Sequence, residues 1–180
     1  IMRIINIKDR KKYFKIQIER SKVKYEYCKV SIKDVILFKK IIKPSIGIDG
    51  PILCLGTRNG REIDLFRNIW FGNRIRNYFI KIIERKHLGY ASLIPLLEKS
   101  FRSNVNKLNK SSVVGVEINP DASRQDTLIG SFDELPKNWQ NKFSILYSNS
   151  FDQSQDPYKT AKEWLRVIKK KGGDPNSWFY

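Results

Sequence analysis

The chain is short of the residues that build metal centres and hydrolytic triads. It has one histidine, His87, and two cysteines, Cys28 and Cys54. A single histidine argues against a histidine-based metal site and against a Ser/His/Asp triad. The cysteines lie far apart and form no C-x-x-C pair, so neither a disulfide framework nor a thiolate zinc site is expected. Cys54 sits in an apolar run, where a free thiol behaves as a small hydrophobe. Cysteine usage of this kind suits a reducing compartment, and a cytoplasmic location is expected. No apolar run approaches the ~18 residues that span a bilayer, so no transmembrane segment is expected. The start, "IMRIINIKDRKKYFK", lacks the apolar core and small-residue cleavage site of a signal peptide. It begins with Ile rather than Met, as a fragment would.

Acidic residues are also scarce. There are 18 Asp and Glu against 35 Lys and Arg, a net charge of +17. Residues 1–50 hold 14 basic and 5 acidic residues, net +9; residues 51–100 hold 9 and 4, net +5; the last 80 hold 12 and 9, net +3. A field of this sign attracts phosphates, RNA or another polyanion, or an anionic surface. A Lys-rich solvated surface explains the same numbers equally well.

With 180 residues and 41% hydrophobic content, the chain suits one globular domain with a real core. Residues 1–12 contain "MRIINI", readable as a short strand, and residues 13–29 read either way. "SIKDVILFKKII" predicts a helix with Ser31 as N-cap and Asp34 three residues on, ended by Pro44 and Gly47. "PILCLG" suits a buried parallel strand. "REIDLFRNIWF" is the next helix, stopping near Gly72. "RIRNYFIKIIERKHL" is amphipathic, its apolar stripe facing either the core or a partner. "SLIPLLEKSF" is a further short helix, and "NVNKLNKSS" a polar loop. Strands follow in "SVVGVEINP", "DTLIGSFDELP" and "KFSILYSNSF". "DPYKTAKEWLRVIKKKGG" closes as a helix with Pro157 in its first turn and a Lys-rich, glycine-terminated end. Strands alternating with helices predict an α/β fold with a mostly parallel sheet.

Ligands in such sheets bind at the carboxyl ends of the strands. The residues there are Gly56-Thr57-Arg58-Asn59-Gly60, then Glu117, then Gly130-Ser131-Phe132-Asp133, then Tyr147 to Asp152. The glycine spacing is G-x-x-x-G. It is neither the G-x-G-x-x-G of dinucleotide enzymes nor a phosphate P-loop. An ordinary turn explains the glycines, a solvated strand end explains Glu117, and an Asx-type turn explains the Ser131 segment.

As an ordered set, "ILCLGTRNGRE", "VVGVEINP", "IGSFDELP", "FSILYSNSFDQS" and "EWLRVIKKKGG" resemble the class I S-adenosylmethionine-dependent methyltransferases over residues 50–173. The resemblance implies a Rossmann-like sheet with core strand order 3-2-1-4, flanking helices, a helical insert over residues 68–112, and a basic extension over residues 1–49 packed on the 50–180 domain. It implies S-adenosyl-L-methionine as cofactor. Gly56, Thr57, Arg58 and Gly60 would form the loop under its methionine part. Glu117 and Ile118 would meet the ribose, Ser131 and Phe132 would frame adenine, and Ser148 would border the site. Asp152 is the candidate base, or else the N-cap of the following helix; Tyr147 and Asn149 would position the acceptor. The methyl acceptor would be an oxygen or nitrogen nucleophile on a small molecule, lipid or glycan.

The chain departs from the family pattern at Cys54 and at Ser144, both common acidic positions. Arg58 stands where the middle glycine is usual, and Ser131 where an aspartate is common. The family's sheet continues past the Gly-Gly with further strands, so the end at "GGDPNSWFY" implies either an incomplete sheet or a sequence that lacks part of the protein. Two other readings stand beside an active methyltransferase. One is a catalytically degenerate, basic structural or RNA-binding subunit. The other is a nicotinamide-dependent oxidoreductase, which the glycine spacing disfavours.

Overall fold

The computed structural model describes residues 9–24, 28–46, 50–72 and 103–170. The two helices expected within residues 73–102 lie outside the described residues, as do residues 1–8 and the segment after residue 170. Elements are numbered here among the described residues. In order they are α1 (Arg10–Val23), α2 (Ile32–Ile46), β1 (Ile52–Leu55), α3 (Arg61–Phe71), β2 (Val113–Glu117), β3 (Thr127–Ile129), β4 (Ile145–Ser148) and α4 (Pro157–Val167). Short 3-10 turns occupy Pro120–Ala122, Lys137–Trp139 and Phe151–Gln153.

The four strands form one sheet in the order β3-β2-β1-β4. Every pairing is parallel, with Leu53 opposite both Val114 and Leu146, and Val116 opposite Leu128. The fold is therefore α/β and Rossmann-like, with the expected strand order. β1 and β2 are buried along their whole length, as parallel strands covered on both faces must be. Alternate side chains feed two cores. Ile52, Cys54, Val113 and Ile145 pack with Ile63, Phe66 and Trp70 of α3 and Val35 of α2. Leu53, Leu55, Val114 and Val116 pack with Trp139, Phe143 and Val167 on the other face.

The helix ends follow local chemistry, with three departures from the sequence reading. Ser31 and Asp34 form a reciprocal capping box: Asp34 N donates to Ser31 Oγ (3.2 Å) and Ser31 N to the Asp34 carboxylate (2.8 Å). Yet α2 runs through Pro44 to Ile46, so Pro44 does not end it; a proline in the last turn removes one hydrogen bond without breaking the turns before it. Residues from Arg10 onward are helix, not the tail of a strand, because the Asp9 carboxylate accepts from Lys11 N and Lys12 N. The last helix stops at Val167, short of the Lys-rich run. Ile168 turns extended and pairs in parallel with Phe143, and Lys169 N donates to Phe143 O at 2.8 Å. The predicted insert over residues 68–112 begins inside α3, which continues to Phe71 before Gly72 ends it.

Candidate cofactor site

The carboxyl ends of all four strands meet beneath α1. A cavity of about 390 Å³ lies there, within the range of small-molecule sites. Its floor is Gly56 after β1, Glu117 and Ile118 after β2, Ser131 and Phe132 after β3, and Ser150 after β4. Strand order reverses between β1 and β4, so this is the topological switch point where open α/β sheets bind ligands.

The glycine loop is tightly built. Gly56 has φ +72, and a Cβ there would strike the Ser150 side chain across the switch point. Gly60 has φ +82 and starts α3; a Cβ there would strike the Arg124 guanidinium. Between them Arg58 adopts φ 48, the left-handed backbone that glycine takes freely and other residues take at a cost. Its amide is held there by a 2.7 Å hydrogen bond to Glu117 Oε2. The Arg58 side chain is 9% exposed and forms part of the cavity wall, leaving the cavity open beside it.

Glu117 is 3% exposed. Besides Arg58 N, its carboxylate accepts from Asn119 N (3.1 Å) and from the Ser21 hydroxyl of α1 (2.9 Å). Two of these donors are neighbouring backbone. The third is a side-chain hydroxyl from a separate helix, and Ser21 lines the same cavity as Glu117.

Behind the loop lies an ion cluster that the sequence reading did not identify. Asp64 and Arg67 of α3 and Asp126 before β3 are all under 5% exposed. Arg67 pairs with both acids. Arg124 donates to Asp64 (2.6 and 2.9 Å) and to Asp126 (2.9 and 3.1 Å), and its Nη1 also reaches Asn59 O at 2.9 Å. The cluster thus ties the glycine loop, α3 and the β3 approach together. Nearby, burial pushes the Glu62 carboxyl up to about 7, against the opposing pull of Arg58. Its Oε1 accepts from Asn149 Nδ2 at 3.4 Å, while Oε2 has no partner among the described residues.

The predicted site residues sort into wall and support. Gly56, Arg58, Glu117, Ile118, Ser131 and Phe132 line the cavity, and Asp152 stands on its rim. Asp152 lies in a 3-10 turn and is exposed; the N-cap of α4 is Asp156, which accepts from Lys159 N at 3.0 Å. The alternative of Asp152 as the helix cap is therefore corrected. Thr57 and Gly60 are buried under the loop. The Ser148 hydroxyl donates to Leu55 O (3.3 Å) and accepts from Ser150 N (3.1 Å), joining the ends of β1 and β4. Tyr147 is not at the site. It alternates to the other face of the sheet, packs against Phe66 (centroids 5.0 Å apart) and Phe38 (6.4 Å), and has its phenol pKa raised by burial. Asn149 lines a second cavity, of about 720 Å³, that adjoins the first.

Sequence reasoning also missed α1 as a wall. Tyr13, Gln17 and Ser21, spaced at one face of a helix, are its buried residues, and all three line the cavity with Arg20 and Lys24. The four-residue spacing was the available signal, but a Tyr/Gln/Ser stripe lacks the apolar character that marks a buried face. α1 is anchored to the strand-end loops: Tyr13 Oη donates to Gln153 O at the cavity wall, and outside the cavity Arg10 pairs with Glu134 (2.7 Å) and Lys22 with Asp121 (2.9 Å). Among the described residues no cluster of three or more His, Cys, Asp or Glu is placed to hold a metal, and no helix is long and apolar enough to cross a membrane. Comparison of the chain with protein-family models, with curated proteins and with solved structures finds no match to any of them.

Proposed function

We propose that this chain is an S-adenosylmethionine-dependent methyltransferase acting on an oxygen or nitrogen nucleophile. The observation that carries the reading is Glu117: a buried carboxylate at the end of β2, facing the same cavity as Gly56 at the switch point. A carboxylate so placed is suited to accept hydrogen bonds from vicinal ribose hydroxyls. The Ser21 hydroxyl is the one donor that can yield its place without unmaking a backbone contact. Phe132, held edge-on to Trp164 (5.8 Å) with its carbonyl accepting from Trp164 Nε1 (3.1 Å), offers an apolar wall for a planar base. The cofactor would supply an electrophilic methyl group on a positively charged sulfur. The chain's part is to orient the acceptor at near-attack distance. Asp152, exposed at the rim, is placed to take the acceptor's proton as the new bond forms.

The test is calorimetric titration of the protein with S-adenosylhomocysteine and, separately, with NAD. Saturable binding of the first and none of the second is expected. Glu117→Gln removes the charge from the hydrogen bonds to the ribose and should weaken binding about tenfold or more; a thermal melt of the variant checks that the loop stays folded. Absence of S-adenosylhomocysteine binding by the wild-type protein would sink the reading.

A second reading has an observation of its own. Glu117 already accepts three hydrogen bonds from the protein itself, as it would in a degenerate domain whose site is closed. Such a domain would serve as a basic structural or RNA-binding subunit, consistent with the +17 charge. The same titration separates the two.

A further inference from the structure

α1 roofs the first cavity with Tyr13, Gln17 and Ser21, and one of the three has no partner. Gln17 is 9% exposed and lines the cavity, yet its amide makes no hydrogen bond to any described residue. Four other polar side chains of the wall are occupied within the protein. Tyr13 donates to Gln153 O, Ser21 to Glu117, and Ser150 to Asn149 Oδ1 (2.9 Å). The Ser131 hydroxyl donates to the Asp133 carboxylate and accepts from Asp133 N, both at 3.2 Å. A buried amide without a partner costs free energy, which a ligand recovers by pairing with it.

We propose that Gln17 is the residue through which the site reads the adenine of its ligand, its Oε1 accepting from the 6-amino group and its Nε2 donating to N7. That the ligand contains adenosine rests on the methyltransferase reading; how the base is told from other bases rests on Gln17.

The placement comes from the two ends of α1. Near its start Arg10 pairs with Glu134, two residues beyond Phe132 in the loop after β3, and near its end Ser21 donates to Glu117 after β2. Gln17 stands one turn before Ser21, about 6 Å along the helix axis, on the Arg10 side. A ligand whose ribose sits at Glu117 and whose base lies against Phe132 therefore has Gln17 between the two. The chemistry matches the place. A glutamine amide offers an acceptor and a donor side by side, and adenine presents the complementary donor and acceptor at N6 and N7. A 6-oxopurine presents two acceptors on that edge, so one of them would face the Gln17 carbonyl oxygen unpaired.

The experiment measures binding of adenosine and of purine riboside, which lacks the 6-amino group, to the full chain by ligand-observed NMR. Wild type is compared with Gln17→Met, which keeps the length of the side chain without its amide, and with Gln17→Leu, an apolar side chain of another shape. Wild type should bind adenosine about tenfold more tightly than purine riboside, and each variant should bring that ratio within about twofold. A merely structural role for Gln17 would weaken both nucleosides alike and leave the ratio unchanged. S-adenosylhomocysteine is titrated beside them. If it binds wild type while adenosine does not, or while the wild-type ratio is near one or the variants keep it, the proposal is overturned and the methyltransferase reading stands. If adenosine shows the expected ratios and S-adenosylhomocysteine does not bind, the base contact stands and the methyltransferase reading falls. If neither ligand binds wild type, both fall together.

Discussion

Glu62 and Arg58 show how single residues in this loop are held against their preferences. Glu62 is 1% exposed, with one carboxylate oxygen unpartnered among the described residues, and burial pushes it from an ordinary 4.5 to about 7. Because the folded state binds this proton more tightly than the unfolded chain, the stabilising contribution is complete below about pH 4.5 and is lost as pH rises through 7. A neutral isostere removes that dependence. Glu62→Gln should therefore gain stability relative to wild type as pH goes from 5 to 8, by about 1–3 kcal/mol. Urea unfolding of both proteins at the two pH values measures it; a difference that does not change with pH would refute the assignment. Arg58 carries the complementary lesson. Its left-handed backbone is one that glycine takes freely, and the Glu117 bond to its amide holds the arginine there.

At the scale of elements, charge acts in two ways of very different strength. The Asp64, Arg67, Arg124 and Asp126 cluster is buried and joins α3 to the approach of β3. Asp126→Ala leaves the buried Arg67 guanidinium and the part-buried Arg124 short of a partner and should cost about 3–5 kcal/mol. Glu134→Ala removes only exposed pairs, with Arg10 and Lys159, and should cost under about 1 kcal/mol. Chemical denaturation of the two variants checks the ranking, and equal losses would contradict it. The same contrast explains what the sequence made legible. The strands and α3 announced themselves through runs such as Ile52–Leu55, whose burial on both faces needs continuous apolar residues. The acid after β2 and the loop order followed from them. α1 did not, because its buried face is Tyr13, Gln17 and Ser21, a polar stripe that looks like a solvated one. The ion cluster was hidden for another reason: its two halves, Asp64 with Arg67 and Arg124 with Asp126, lie about sixty residues apart, and no local pattern pairs Asp64 with Arg124. Sequence offers Asp152 as a cap because it shortly precedes the helix; the 3-10 turn at Phe151–Gln153 takes it out of that position and leaves Asp156 as the cap.

For the whole molecule, α1 joins the charge asymmetry to the site. It lies over the carboxyl ends of the strands on hydrogen bonds and ion pairs, and Arg20 and Lys24 at its end line the cavity. The chain as a whole carries a net +17, and the effect of such a charge differs by ligand. S-adenosylhomocysteine carries equal and opposite charges, so its binding releases few counterions. A polyanion displaces condensed counterions in proportion to the phosphates it contacts. If about four phosphates of a single-stranded oligonucleotide are neutralised, affinity should fall about 50-fold between 50 and 200 mM salt. Over the same range S-adenosylhomocysteine binding should change less than about threefold. Fluorescence anisotropy of a labelled oligonucleotide, run beside calorimetry of S-adenosylhomocysteine, measures both slopes on one preparation. Oligonucleotide affinity that ignores salt would show that the basic half is a solvated surface and not a phosphate-binding one. Steep oligonucleotide dependence beside a flat S-adenosylhomocysteine response is the expected outcome, because only the oligonucleotide has phosphates for the basic half to neutralise.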